Sequence, residues 1–581
     1  MKAKSLECLP EVFVKIDVYK AHSSSVVLYN KLHVDNSSNL TEAEILERYS
    51  YSTKISEAKG SESTIHKKTF YAERYGGDQI SKNGGGGRCG FDGLFQIKGI
   101  GRTPLVGLNT DDVHSNGMLD LESAIYEAIW GEIINLILPH GAVRSLAVIC
   151  LDSTFSLDGR VHQQALLVRE AVVRPAHFER AIYFKEPIIP GKLCNDARRV
   201  RDSIQKINEF LPRPQKSCFQ QTNSTSILSF KEGVVELSRK YAEQFAVARS
   251  KNIMHMMMSS SNIAITGAWL DLNSVTVVSH KSVNEKRLYQ TFNTEYVSVL
   301  NSLKSICFNA EKYMQVTKKQ SAEITDSALS NFSTAYDCEL RKFLIIRSGF
   351  PHCVVEWMVS TVEFQVYSSK LLSFMEGQDY ALQDEQLFGC YRFHNIKGLP
   401  HVVIEEVENR ADYDVVIEWD TDNLFLKNEL ENAFESFYLL VVSNVNISKQ
   451  ALNRLICINL TRRSKTPALL QNFKLYQLIL ECIKKNNAGP RLKQDIELLS
   501  QEAYDTASIC LGTDEGYNSL LWKEGDNTIE YDGLLDAFRI IHDYQEIILS
   551  WKEMTSSLDN LPIVKNCELF YENIKGVLFD V

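Results

Sequence analysis

No stretch of this 581-residue chain approaches the ~20 consecutive apolar residues that a membrane-spanning helix requires, so an integral helical membrane protein is not expected. The first residues, Met1-Lys-Ala-Lys-Ser-Leu-Glu-Cys-Leu-Pro10, lack the apolar core and small-residue cleavage site of a secretory leader. The 13 cysteines are odd in number and include no C-x-x-C pair, which argues against a disulfide framework or a zinc site and for reduced thiols. Cytoplasmic residence is the expectation. Positive charge is also in deficit: 63 Lys and Arg against 73 Asp and Glu leave a net charge of -10, which opposes general nucleic-acid binding. Internal repeats and Gly- or Pro-rich linkers are missing too, so composition marks no domain boundary.

An apolar content of 44% with 23% charged residues is ordinary for a folded chain. Single cores stop growing near ~250–300 residues, so two to four compact units are expected. The one low-complexity segment is Gly84 to Gly87, which on composition reads as a flexible loop or a place where backbone approaches a ligand closely. Leu94-Phe-Gln-Ile-Lys98 alternates as a strand does, placing Gln96 and Lys98 on one face. Between Leu119 and Leu138, Ile125, Ile129, Ile133, Ile134 and Leu138 recur at helical spacing, with Glu127 elsewhere on the wheel. Val143 to Cys150 and Gln164 to Val168 read as strands, completing a small α+β lobe. Residues 196–255 read as mostly helical. Beyond residue 330 the pattern predicts a strand-like piece at Asp414-Val-Val-Ile-Glu418 and long amphipathic helices at Asn472 to Lys485 and Tyr531 to Met554.

Phosphate chemistry needs cations on the phosphates, a divalent metal on their oxygens and an anchor that holds the cation. Lys98 at a strand end, followed by a helix bearing Glu127, suits the cation and its anchor; a solvated lysine and glutamate would leave the same trace. Asn262-Ile-Ala-Ile-Thr-Gly-Ala-Trp-Leu-Asp271 supplies a carboxamide and a carboxylate, hard oxygen ligands suited to Mg²⁺, which an apolar hairpin would bring together.

In this order the fragments resemble the selenoprotein O family, a protein-kinase-like two-lobed fold whose members transfer AMP from ATP to protein hydroxyls. The family's Gly-Asp-Gly-Arg loop is similar to Gly85-Gly-Gly87-Arg88, with glycine in place of aspartate. Its Leu-Lys-Gly-Ala-Gly-Arg-Thr-Pro strand resembles Ile97-Lys98-Gly-Ile-Gly-Arg-Thr-Pro104, and a second Asp-Gly pair falls on Asn116-Gly117. The Ile-Arg-Glu of its helix reads Ile125-Tyr126-Glu127. Its paired arginines resemble Arg169 and Arg174 before His177-Phe-Glu179, closer together here by two residues. The resemblance covers roughly residues 70–275. It implies ATP and Mg²⁺ as cofactors, Gly85, Gly87, Arg88, Lys98, Asn116, Gly117, Arg169 and Arg174 around the nucleotide, and Asn262 and Asp271 on the metal. The arginines would hold the γ-phosphate, leaving the α-phosphate facing the acceptor. The domains implied are an N-terminal segment (1–69), an N-lobe (70–180), a C-lobe (181–330) and a C-terminal, mostly α-helical extension (331–581).

The family's catalytic loop, His-Gly-x-x-Asn-Thr-Asp-Asn, reads His255-Met-Met-Met-Ser-Ser-Ser261-Asn262, so the aspartate taken as general base is Ser261. A hydroxyl acceptor gains typically ~10²–10⁴ in rate from such a base. A carboxylate acceptor is already ionised at neutral pH and needs none. Three readings follow: a component that adenylates a carboxylate, an ordinary protein Ser/Thr/Tyr AMPylase, and a non-catalytic ATP-binding scaffold. Retention of both metal ligands and both arginines favours the first. A branch of similar character acts in maturation of siderophore-bearing microcins, where a selenoprotein O-like protein and an acyltransferase-like partner join a peptide's C-terminal carboxylate to a glucosylated catecholate siderophore. The family's redox-active C-terminal selenocysteine or cysteine has no counterpart in Gly576-Val-Leu-Phe-Asp-Val581.

Three other features have ordinary readings. His177 is expected to be a packed, hydrogen-bonded histidine, and Met254 with Met256 to Met258 to be apolar packing beneath the metal loop. Asp412, Asp414, Glu418, Asp420 and Asp422 are expected to form an exposed strand edge and turn.

Overall fold

The computed structural model describes residues 5–30, 40–54, 66–77, 82–157, 159–182, 196–214, 226–278, 291–376, 424–465, 467–471, 473–486 and 489–578. The strand and acidic cluster expected between residues 412 and 422 lie outside them.

Eight strands form one antiparallel sheet: β1 (Phe13–Lys20), β2 (Ser24–Tyr29), β3 (Tyr51–Ser52), β4 (Lys67–Glu73), β5 (Cys89–Phe91), β6 (Phe95–Lys98), β7 (Ser145–Leu157) and β8 (Arg160–Glu170). Their order is β2-β7-β8-β6-β5-β4-β1-β3, so strands from the first 69 residues belong to the same sheet. Alternation assigns the faces. Ile97, Ile149, Leu166 and Val168 bury on one side with Ile45 and Tyr49 of the small helix Glu42–Tyr49. Leu167, Val148 and Ala165 bury on the other, against the first long helix.

That helix, α1 (Leu121–Ile137), starts where the Asp120 carboxylate accepts the Ser123 amide. It is buried on nearly every side, because the sheet covers one flank and helices from the C-terminal part cover the other. Glu127 is therefore a carboxylate on an apolar helix, 3% exposed. The expected helical stretch at 196–255 becomes Asp196–Ile204 and α2 (Ser226–Ser250). A short ladder, β9 (Ile253–Met254) with β10 (Thr276–Val277), then brackets residues 255–275.

The C-terminal part contains α3 (Lys318–Arg347), α4 (Lys449–Ser464), α5 (Lys474–Asn486) and α6 (Pro490–Leu511). The helix expected over Tyr531 to Met554 is not there. In its place lie strands of a four-stranded antiparallel sheet: β11 (Asn518–Glu524), β12 (Asn527–Asp532), β13 (Ala537–His542) and β14 (Gln545–Leu549). The apolar residues Phe538 and Ile540 bury at period two, and Asp543 and Tyr544, at φ 49 and 63, make the tight turn that joins β13 to β14. Of the expected helix only its last residues are helical, as the start of Trp551–Ser557. No helix among the described residues is long and apolar enough to cross a membrane.

Five helix C-termini converge on four buried cations. Lys251 Nζ donates to Ile137 O at the end of α1 (2.8 Å) and to Thr513 Oγ1 (3.2 Å). Arg347 donates to Ser250 O, ending α2, and to Arg463 O in the last turn of α4. Arg463 donates to Ile346 O, ending α3, and Arg462 Nη1 donates to Ile509 O near the end of α6 (2.9 Å). Helix C-termini carry partial negative charge from unsatisfied carbonyls, which accounts for a cluster in which Asp514 is the carboxylate paired to Arg462 and Arg463. Burial, reinforced by the three neighbouring arginines, pulls the Lys251 ammonium well below the usual lysine range.

Replacing Arg462 by Met removes the donor to Ile509 O and one of the donors to the Asn459 carboxamide oxygen and to Asp514, which keep Ser519 and Arg463 respectively. The expected loss is on the order of 3–5 kcal/mol, read as a lower denaturant midpoint. A midpoint equal to wild type would show that the hub does not hold the helices together.

Candidate functional site

β6, α1, β8 and the loop after β9 each deliver one charged side chain to a point beneath the sheet. Lys98 Nζ lies 2.7 Å from Glu127 Oε2 and 2.6 Å from Asp271 Oδ1. Arg169 Nη1 meets the same two carboxylates, Glu127 Oε1 at 2.5 Å and Asp271 Oδ1 at 2.8 Å. Glu127 is thus shared between two cations, one on each oxygen. The Tyr126 hydroxyl fixes the preceding position on α1 by donating to Val275 O (2.5 Å).

A second layer continues the network. Gln96 Oε1 accepts from Arg169 Nε (2.8 Å) and Arg174 Nη2 (3.2 Å), while its amide donates to Glu73. Glu73 Oε2 also faces His177 Nε2 (3.3 Å) and Arg174 Nη2 (3.9 Å). His177 Nδ1 accepts the Arg174 backbone amide (3.1 Å), so the ring is neutral with its proton on Nε2, as burial dictates. This is the packed, bonded histidine expected of it. Burial alone would raise the Glu73 carboxyl, but His177 and Arg174 outweigh it and hold the group below the usual range.

The loop 255–271 is built as the apolar hairpin expected between the two oxygen ligands. Leu270 N donates to Asn262 O (3.1 Å), and Ile263 bridges to Trp269. Gly267, at φ +97, makes the turn, and a Cβ there would press on the His140 side chain at 2.9 Å. His255 Nε2 bonds Leu270 O (2.9 Å), tying the start of the loop to the carbonyl preceding Asp271. Asp271 itself takes φ 59, a left-handed conformation that costs a non-glycine residue roughly 1–2 kcal/mol and aims its carboxylate off the hairpin. Ser261, where the resemblance would place a base, is spoken for: its Oγ lies 2.8 Å from Ser259 Oγ, and its carbonyl accepts Arg174 Nη1 (3.0 Å).

Over this cluster opens a cleft of about 360 Å³, lined by Gly85, Gly87, Arg88, Lys98, Asn262 and Asp271 among others. Its size falls within the ~300–1,000 Å³ of small-molecule sites. The glycine segment is a loop, but a buried and bonded one: Gly84 N donates to Leu105 O and Gly86 N to Glu73 O, each at 2.8 Å. Gly85, at φ +140, must be glycine, because a Cβ would lie 2.0 Å from Glu73 O.

The remaining expected residues lie around the cleft rather than on it. Asn116 Oδ1 accepts Met118 N (2.7 Å), and Gly117 O accepts Gly101 N (2.9 Å), which braces the turn after Lys98. Arg169 and Arg174, each 1% exposed, sit behind the Lys98 and Asp271 side chains. Arg169 Nη2 and Arg174 Nε are buried with no acceptor among the described residues. Met256, Met257 and Met258 line the cleft, and Met257 is 60% exposed, so they are more than packing under the loop. Sequence reasoning did not single out Glu73, Tyr75, Asn83 or His114. Gln96 was signalled only by sharing a strand face with Lys98.

Burial would raise the Asp271 carboxyl, yet Arg169, Lys98 and Arg174 hold it well below the usual carboxylate range. It is ionised, and its side chain keeps 23% exposure toward the cleft. Its Oδ1 takes both cations, and its other oxygen holds no bond among the described residues. Asn262 is oriented by Nδ2 donating to Met257 O (2.7 Å). No group of three or more His, Cys, Asp or Glu gathers among the described residues. An ionised carboxylate and a carboxamide suit Mg²⁺ that draws its other ligands from phosphate and water, and do not make an all-protein cage.

A carboxyl held low in the fold stabilises it above the unfolded aspartate value, about 4, and that contribution is lost as pH falls through the depressed value. The stability difference between wild type and Asp271→Asn is therefore expected to be constant from pH 7 to 5 and to shrink only below about pH 4. Denaturant midpoints across that range check it, and a difference that already shrinks between pH 7 and 5 contradicts it. No protein-family model matches the chain, and no curated protein does, so any kinship rests on the residues themselves.

Proposed function

We propose that the cleft is an ATP and Mg²⁺ site of a protein-kinase-like, selenoprotein O-type core, and that it transfers AMP to a carboxylate. One observation carries this reading: the Lys98, Glu127 and Asp271 cluster is assembled beneath the cleft while Ser261, a hydroxyl already bonded to Ser259, fills the position of the base. Asp271 is the one carboxylate lining the cleft among the described residues, and two cations occupy it. At the Ser261 position no carboxylate serves proton removal from a hydroxyl that would attack the α-phosphorus. An acceptor that arrives ionised needs none.

In this reading Lys98, locked by Glu127, binds phosphate oxygens, and Asn262 and Asp271 would hold Mg²⁺, which would supply charge neutralisation for those oxygens. The acceptor's carboxylate oxygen attacks the α-phosphorus, the bond from that phosphorus to the bridging oxygen breaks, and pyrophosphate leaves. The product is an acyl-adenylate. The orphan nitrogens of Arg169 and Arg174 are the groups on hand for a γ-phosphate once their present partners yield. The acceptor class is a peptide or protein carboxylate. The resemblance narrows it to a peptide C-terminus destined, with an acyltransferase-like partner, for a glucosylated catecholate siderophore.

Pyrophosphate release from ATP and Mg²⁺ is expected with a peptide bearing a free C-terminal carboxylate and not with its amidated form. Lys98→Met and Asp271→Ala should each lower it by about 10²-fold or more. Ser261→Asp should not raise it. Release that ignores amidation, or a marked gain in Ser261→Asp with a hydroxyl substrate, would favour protein AMPylation; ATP binding without release would favour a scaffold.

A further inference from the structure

Acyl-adenylate formation needs no base, but consuming the adenylate with an alcohol or amine does, because the nucleophile's proton must leave as the new bond forms. The titratable side chains lining the cleft among the described residues are Tyr75, Arg88, Cys89, Lys98, His114 and Asp271. Lys98 and Asp271 are bound to each other, burial pushes the Tyr75 phenol and the Cys89 thiol up, and Arg88 donates to Met118 O (3.3 Å). An arginine stays protonated in proteins. That leaves His114.

His114 stands in the short helix Asp112–Ser115, whose preceding residue, Asp111, accepts the His114 backbone amide at 3.0 Å and its Nδ1 at 2.7 Å with the same oxygen. A carboxylate on Nδ1 sets the tautomer, with the proton on Nδ1 and the lone pair on Nε2. Asn83, whose Nδ2 donates to His114 O (3.2 Å) and whose Oδ1 accepts Gly107 N (3.1 Å), pins the same segment to the cleft wall beside the glycine loop. The arrangement is an oriented imidazole bordering the cleft, and its Nε2 holds no bond among the described residues.

Resting on the carboxylate-adenylation reading, we propose that the cleft also carries out the second half-reaction, with His114 as its general base and Asp111 as the residue that positions it. The alcohol or amine attacks the acyl carbonyl, its proton passes to His114 Nε2, the bond from the carbonyl carbon to the AMP oxygen breaks, and AMP leaves with that oxygen. An ester or amide results. The chain then supplies the base of the transfer step to a hydroxyl- or amine-bearing small molecule as well as the activated acyl group.

Two rates decide it, measured on the full chain with a free-carboxylate peptide: pyrophosphate release, and formation of ester or amide with a simple polyol or primary amine as probe. In His114→Ala, transfer is expected to fall at least tenfold further than release does, and added imidazole should restore transfer without changing release; Asp111→Asn should show the same pattern, weaker. Equal losses in both rates, or no imidazole rescue, overturn the proposal in favour of a structural or nucleotide-contacting role. Transfer as fast in His114→Ala as in wild type overturns it outright. Absence of carboxylate-dependent release from wild type would instead remove the adenylation reading, and this step with it.

Discussion

Three carboxylates and three cations gather at the cleft floor and behind it, all but Asp271 out of water: Glu73, Glu127 and Asp271 against Lys98, Arg169 and Arg174. Burying any one alone would cost several kcal/mol, and their mutual attraction repays this only with close geometry and filled hydrogen-bond positions. The sheet and α1 must therefore hold their spacing within tenths of an ångström. Gln96 acts as the insulator of the set, accepting from both arginines and donating to Glu73, so that two like charges share one neutral acceptor. A buried ion network of this kind is weak evidence for stability. Its position directly under a glycine-lined cleft is a better reason for its presence.

The same requirement gives the C-terminal half a mechanical role. Glu127 is only as well placed as α1, and α1 is covered on its outer flank by α5 and α6. Its last carbonyl is tied through Lys251 to Thr513, beyond α6. Tyr476 of α5 packs edge-on against Tyr126, the neighbour of Glu127. The helix C-terminal hub thus joins the site-bearing helix to α2, α3, α4 and α6 at one electrostatic point. Residues without any contact to the cleft influence it by fixing the helix that carries its anchor.

Short elements with sharp local signals were legible in the sequence. β6 and α1 fall where alternation and helical spacing place them, and the hairpin from Asn262 to Asp271 follows from an apolar run closed by Gly267. Lys98 with Glu127 is a pair that spacing offered and the structure makes. The arginines were legible as residues but not in position: their burial depends on Gln96, Glu73 and His177, which reach them from separate elements and leave no local trace. The strands between Tyr531 and Leu549 were misread as a helix because their apolar residues also occur at helix-like intervals, and period two becomes visible only once the turn at Asp543 and Tyr544 breaks the run. His114 was missed because a histidine in a four-residue helix has no pattern at all. Its significance comes from Asp111 beside it and from the cleft it borders.

The central claim is that a carboxylate oxygen, and not a hydroxyl, attacks the α-phosphorus at this site. Oxygen-18 placed in the C-terminal carboxylate of an acceptor peptide follows that oxygen directly. AMP recovered after acyl transfer is predicted to carry one heavy oxygen, delivered from the peptide as the acyl bond breaks. Unlabelled AMP, or AMP retained on a protein hydroxyl, would contradict the account.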